Sequence, residues 1–204
     1  MGPRTAANYP GSVMLMTNDT GAADEYRGLN ATLSSVLVRV AEDDWNNDSP
    51  CTGWKAVDVL RHLISTQRTF LNERGIPLNE ELRVDNDPVA AWSQHSAWVQ
   101  DLLQDPKVSD KEYEGYFGTA KVGESMLRFY GFDMVVHRWD IARAAGFDDD
   151  FSREEMNMLE GAIAGFGESL YSKGICEPAL DVPDTTDRQT LILAKLGRHA
   201  DFSH

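Results

Sequence analysis

Asp133 and His137 stand four residues apart in the stretch Tyr130-Gly-Phe-Asp-Met-Val-Val-His-Arg-Trp-Asp-Ile-Ala-Arg-Ala-Ala-Gly146. On a helix that spacing stacks an acid and an imidazole on one face. Met126, Tyr130, Ile141 and Ala144 continue the same face, so it reads as turned inward. An acid and an imidazole side by side in apolar surroundings are costly unless something compensates them. A divalent cation compensates both. A hydrogen bond between the two, with the aspartate orienting a core histidine, compensates them as well, and the spacing alone leaves both readings open.

A metal needs a third ligand from another helix. The chain holds five histidines: His62, His95, His137, His199 and His204. The last two fall in a C-terminal tail of the kind that is usually poorly held. His62 lies mid-helix in Val59-Leu-Arg-His-Leu-Ile64 and borders the core; His95, near Trp92 and Val99, is its rival and reads as a helix-surface or groove residue. Two imidazoles with one carboxylate suit zinc first, with nickel or iron(II) as alternatives. Three protein ligands leave coordination positions open, unlike the four of a closed structural zinc site, so such a centre activates water or a thiol. Asp140 could orient a ligand from behind, whereas Arg143 reads as one half of a surface ion pair. Cys51 fits a small buried residue at a loop-to-helix junction better than a reactive thiol, and the tryptophans read mostly as core.

The elements that must position these groups are helical. Leu29, Leu33, Val36, Leu37 and Val40 repeat at helical spacing and predict a first helix from Asp24 to about Ala41. The polar run 42–50 ends it. A second helix is expected from Ala56 to Arg74, with an incomplete capping box because Lys55 stands where a Ser or Thr would pair with Asp58. Asp87-Pro88 opens a third that runs to Gln104 and is closed by Asp105-Pro106. Residues 107–121 read as an extended connection with at most one short strand. A long fourth helix is expected from Val122 to Ala145, stopped by Gly146. Ser152 and Glu155 form a capping box for a fifth ending near Gly174, and Thr186 with Gln189 opens a last short one ending at Gly197. Five or six helices with almost no strand signal predict an all-α helical bundle.

At 204 residues the chain fits one domain with a sizeable core. Residues 1–19 read as a flexible tail, with Met16 an alternative start, 20–200 as the bundle and 201–204 as a short tail. The net charge of −14 argues against nucleic-acid and anionic-membrane partners. There is no signal-peptide pattern and no apolar run of the roughly 18 residues that a membrane helix needs. Two cysteines outside any CxxC pair, Cys51 and Cys176, suit a reducing compartment, so a cytoplasmic protein is expected.

Two segments read together narrow the function. Ser49-Pro-Cys-Thr-Gly-Trp-Lys-Ala-Val-Asp-Val-Leu-Arg-His-Leu63 resembles the PC-x-GW-x-x-x-DLL-x-HL segment of the DinB-like family, in the branch that holds the N-terminal domain of mycothiol-dependent maleylpyruvate isomerase. Asp133-Met-Val-Val-His-Arg-Trp-Asp-Ile-Ala-Arg-Ala-Ala-Gly146 is similar to that branch's D-x-x-VH-x-WDLARA-x-G segment. The resemblance spans residues 20–200 in matching order and spacing. It implies a DinB-like four-helix bundle with one or two extra short helices, holding one divalent metal on His62, Asp133 and His137, with Asp140 behind them. In the isomerase the first residue of the later pair is glutamate and in many relatives it is histidine; aspartate is shorter than glutamate. The full isomerase has a further C-terminal domain that contributes to its active site, and this chain is too short to include it, so the expectation is limited to the metal-binding module. The implied function is a metal-dependent thiol S-transferase or isomerase-like enzyme with mycothiol as co-substrate and a small electrophile as partner. The alternatives are a non-catalytic, stress-related metal-binding protein of the same fold and a plain helical interaction protein; a homodimer is one assembly open to it.

Overall fold

The computed structural model describes residues 21–203 except 81, 116, 117 and 184. The tail expected over 1–19, His204, and Tyr116 and Phe117 of the expected connection therefore lie outside the described residues. Helix α1 spans Ala22–Leu37 and buries Tyr26, Leu33, Val36 and Leu37. A 3₁₀ turn over Asp43–Asn46 buries Trp45. Helix α2 spans Ala56–Glu73. Its start carries half a capping box: the Lys55 backbone N–H donates to Asp58 Oδ2 at 3.0 Å, and lysine offers no acceptor in return. Helix α3 spans Pro88–Gln104 and is capped by Asp87, whose side chain accepts the Ala90 N–H at 2.9 Å.

Residues 106–121 depart from the expected extended connection. Pro106–Ser109 form a short helix α4 on the Asp105 cap, and Glu112–Gly115 (β1) pairs antiparallel with Gly118–Lys121 (β2). Proline ends one helix but also suits the first turn of the next, so the Asp-Pro pair closes α3 and opens α4.

The expected long fourth helix is continuous but not uniform. It runs as α5, Val122–Ser125, then a π-helical turn, Met126–Gly131, then α6, Phe132–Ala144. The extra residue in a π turn rotates the helix on its C-terminal side relative to the helix on its N-terminal side, yet Met126, Tyr130, Ile141 and Ala144 still turn into one core. Gly131 sits where α1 comes closest: a Cβ there would lie 2.9 Å from Leu29 Cδ1. Of the thirteen residues of α6 only Asp133 and Arg143 escape burial, so α6 is a central helix and not a one-sided one.

Its two sides face two cores. On one side α1, α2, α3 and α6 form the bundle, with α1 packed on α3 and α6, and α2 on α6 and α3. On the other, Val135, Val136 and Trp139 of α6 meet α7 (Arg153–Phe166) and α8 (Arg188–Lys195) through Leu159, Ile192 and Leu193. The Ser152–Glu155 box of α7 is present in both directions, at 2.8 and 3.1 Å. The fifth helix ends at Phe166 and not near Gly174; Gly167, at φ +52°, begins a 3₁₀ turn. Asp187, not Thr186, caps α8 by accepting the Thr190 N–H at 3.0 Å. Phe202 is held in place: Arg143 donates to its carbonyl at 3.1 and 2.6 Å. No helix among the described residues is long and apolar enough to cross a membrane.

His95 is a core residue, 0% exposed, and not the groove residue expected. Its Nε2 lies 3.0 Å from Gln67 Oε1, which also accepts the Tyr26 hydroxyl at 3.1 Å. Burial pushes its pKa down to about 3. The folded state therefore keeps His95 neutral while the unfolded chain takes up a proton near pH 6.5, so stability present above that pH is lost on acidification toward 3. Urea midpoints should fall between pH 6.5 and 4, with a smaller fall for His95→Asn; identical slopes would detach the effect from this residue.

Candidate metal centre and its cleft

Three parts of the chain converge at the seam between the two cores. The first is the turn that leads into α2. The Trp54 N–H donates to the Cys51 carbonyl at 2.9 Å, the Ser49 N–H to the Trp54 carbonyl at 2.8 Å, and Asp48 bridges to Lys55. This knot sets Cys51 and Trp54 beside His62 of α2. The second is α6, which brings Asp133, His137 and Asp140. The third lies near the C-terminus, where Cys176 follows the Gly174 turn and Arg198 follows α8.

His62 Nε2 lies 3.8 Å from Asp133 Oδ2, and the His62 and His137 rings meet edge-on with centroids 5.1 Å apart. Trp54 stacks near both, at 5.0 Å from His62 and 6.5 Å from His137. The tightest set of potential ligand atoms is a different one: one ligand atom each from Cys51, His137 and Asp140, all within 4.8 Å of one another. His62 thus neighbours both Asp133 and His137, but the three expected ligands do not close to within that distance of one another in the described geometry, and His137 alone belongs to both groups. The cleft over them holds about 270 Å³ and is lined by Cys51, Trp54, His62, His137, Cys176 and Arg198, among others.

Asp140 organises the floor. It is 0% exposed, and its Oδ2 accepts from His137 Nδ1 at 2.8 Å, Arg198 Nη2 at 3.0 Å and the Cys51 thiol at 3.2 Å. Burial alone would raise its pKa, but the Arg198 and His137 side chains override this and hold it far below the usual carboxylate range. Asp140 is therefore an acceptor only, so the proton on the shared bond belongs to His137 Nδ1, and the lone pair of that ring is on Nε2. Burial, reinforced by Asp140, pushes the Cys51 thiol up. Burial opposes the Arg198 charge, and Asp140 more than restores it. The guanidinium also donates to Cys51 Sγ at 3.3 Å and Cys176 Sγ at 3.4 Å.

The imidazoles of His62 and His137 and the carboxylate of Asp133 are donor types that a divalent cation takes. A histidine whose far nitrogen donates to a buried carboxylate is the usual form of a metal-bound imidazole. The comparisons with known proteins bear on the same residues. The family model for the mycothiol maleylpyruvate isomerase N-terminal domain matches residues 26–142. The chain belongs to that family. It is a DinB-like domain, and its Cys/His/Asp cluster is consistent with metal binding. Two proteins of Mycobacterium tuberculosis, each described as uncharacterized, are similar to it: MT0763 of strain CDC 1551 / Oshkosh and Rv0738 of strain ATCC 25618 / H37Rv. Each is 22% identical over 142 residues, covering 69% of this chain and 77% of the relative. No solved structure matches the chain.

The isomerase-family match ends at residue 142, so Cys176 and Arg198 lie beyond it. Nothing in the sequence around either residue marks it as part of a site. Cys51 did carry a signal, since it belongs to the PC-x-GW segment, but a thiol bonded to a buried carboxylate is not legible from that segment. Arg143 forms the surface ion pair expected of it, with Asp148.

Removing Arg198 leaves Asp140 without its main countercharge. Arg198→Met should cost about 3–5 kcal/mol at pH 7, and Arg198→Lys should recover part of this, because it keeps the charge and loses the fork. Urea denaturation of both variants is the measurement; an unchanged Arg198→Met would mean that Asp140 is compensated elsewhere.

Proposed function

We propose that this protein is a divalent-metal-dependent thiol S-transferase of the DinB-like type, joining the sulfur of a low-molecular-weight thiol to a small electrophile. His62, Asp133 and His137 are the ligands in this reading, Asp140 positions His137, and mycothiol is the candidate thiol. The observation that carries it is the His137 Nδ1–Asp140 hydrogen bond of 2.8 Å, which leaves Nε2 as the ligating atom in a cleft that also holds His62. A cation placed instead on Cys51, His137 Nδ1 and Asp140 would lie against the Arg198 guanidinium, already 3.0 Å from Asp140 and 3.3 Å from Cys51. Like charges at that range repel, which favours the His62 side.

A bound divalent ion, zinc by the donor types, supplies the Lewis acidity that turns a thiol into a thiolate at neutral pH. The chain's own residues do the rest. Asp140 fixes the tautomer and ring plane of His137. Arg198 keeps Asp140 ionised. The Trp54 indole lies beside the two imidazoles, 5.0 Å from His62 and 6.5 Å from His137 between ring centroids, and gives the centre an apolar flank. Two free cysteines, Cys51 and Cys176, suit the reducing compartment in which such thiols are kept.

His62→Ala and His137→Ala should abolish stoichiometric metal in purified protein. Asp133→Asn should weaken binding less, because an amide oxygen still coordinates, and Asp140→Asn should weaken it about 10–100-fold. Acid should release the metal, because only the neutral imidazole coordinates. Metal analysis with chelator competition reads all of these, and near-full occupancy in His62→Ala overturns the ligand assignment. Thiol-consumption assays with electrophiles, with and without metal, then separate an enzyme from a non-catalytic metal-binding protein.

A further inference from the structure

Among the described residues, Val38, Trp54, Leu78 and Ile175 are the large hydrophobics left markedly exposed. Two of these four, Trp54 at 36% and Ile175 at 64%, line the cleft that holds His62 and His137, and Pro50 lines it with them. Single exposed apolar side chains are ordinary on a protein surface. Apolar walls above a floor of a few convergent polar groups are the anatomy of a small-molecule site.

These walls are built and not frayed. The Trp54 carbonyl accepts from both the backbone N–H and the hydroxyl of Ser49, each at 2.8 Å, and its own N–H donates at 2.9 Å to Cys51. The Ile175 N–H donates to the Ser172 carbonyl at 3.0 Å. An indole held in this way presents its apolar surface with little ordering cost on binding.

The charge of the cleft is as informative as its shape. Arg198 is its cation, and that guanidinium is committed to Asp140, to the Leu196 carbonyl at 2.6 Å and to both cysteines. A carboxylate on an incoming molecule would find the Arg198 guanidinium already engaged, and it would meet Glu177 on the wall of a protein with net charge −14. The volume of about 270 Å³ admits one aromatic ring or a short branched chain together with a reacting head.

We propose that the electrophile side of this cleft takes an uncharged molecule with an aryl or branched-alkyl body, which packs on Trp54 and Ile175 while its reacting head reaches His62 and His137. This rests on the thiol-transferase reading and names its acceptor class. The bulk of a sugar-bearing thiol then stays outside, with only its sulfur arm entering.

The probes are three small thiols whose sulfur takes the place of the electrophile's reacting head at the histidines, so that their bodies stand in for the electrophile's: phenylmethanethiol, 2-mercaptoethanol and the anionic 3-mercaptopropionate. They are titrated into the cobalt(II)-loaded full chain, and the sulfur-to-cobalt absorption band is read. Phenylmethanethiol should bind at least 10-fold tighter than 2-mercaptoethanol, with 3-mercaptopropionate the weakest. Trp54→Ala and Ile175→Ser should each cut the phenylmethanethiol to 2-mercaptoethanol affinity ratio about fivefold. Ile175 carries no ligand atom, so a fallen ratio in that variant isolates the wall from the ligands. Bands of equal strength at equal concentrations for all three thiols, or a ratio unmoved by both substitutions, overturn the acceptor class and leave the thiol-transferase reading standing. No band with any thiol overturns both.

Discussion

The carboxylate of Asp140 is the constraint around which the structure closes. A charge with no solvent exposure is tolerated only where hydrogen bonds and a countercharge replace water. Here Arg198, fifty-eight residues further along, supplies the countercharge, and His137 and Cys51 complete the shell. The pair is close to neutral in net stability when intact, but either half left alone is costly. The turn after α8 is therefore obliged to return to α6, and the C-terminal layer is tied to the bundle by more than apolar packing.

That tie has a chemical consequence. Because Asp140 is held ionised, the tautomer of His137 is decided by a residue from the other end of the fold. The lone pair faces away from Asp140, on the nitrogen that a cation can use. The candidate centre thus lies at a seam: the bundle helices α2 and α6 supply imidazoles and carboxylates, while the segment beyond the family match supplies the group that keeps the floor in one protonation state. A family built on a common bundle can vary its C-terminal additions, and in this chain the segments on either side of α8, residues 174–177 and 197–198, also furnish one wall of the cleft.

Much of this was legible in the chain, for identifiable reasons. Helix starts at Asp87-Pro88 and Ser152–Glu155 were readable because capping depends on a few adjacent residues. The stop at Gly146 was readable because its φ of +76° is costly for residues with a Cβ. The hairpin at 112–121 was not, because a four-residue strand carries too short an alternation to stand out. The π turn at 126–131 was not, because its extra residue leaves the apolar composition of the helix unchanged while rotating the pattern. His95 was misplaced for a related reason: a histidine next to tryptophans looks like a groove residue until Gln67, itself held by Tyr26, is seen to meet it in the core.

The amino-acid sequence by itself determined the helical class, most element ends, the PC-x-GW and D-x-x-VH pairing that marks the family, and the set of imidazoles and carboxylates available to a cation. Those properties are local or periodic, and they are written in neighbouring residues. Tertiary structure alone decided that α6 is buried along nearly its whole circumference, that His137 Nδ1 is taken up by Asp140, and that His137, Cys51 and Arg198 share that one carboxylate. Each of these joins residues tens of positions apart, where the energy comes from desolvating charges together, and no spacing along a chain encodes which distant arginine will answer a buried aspartate.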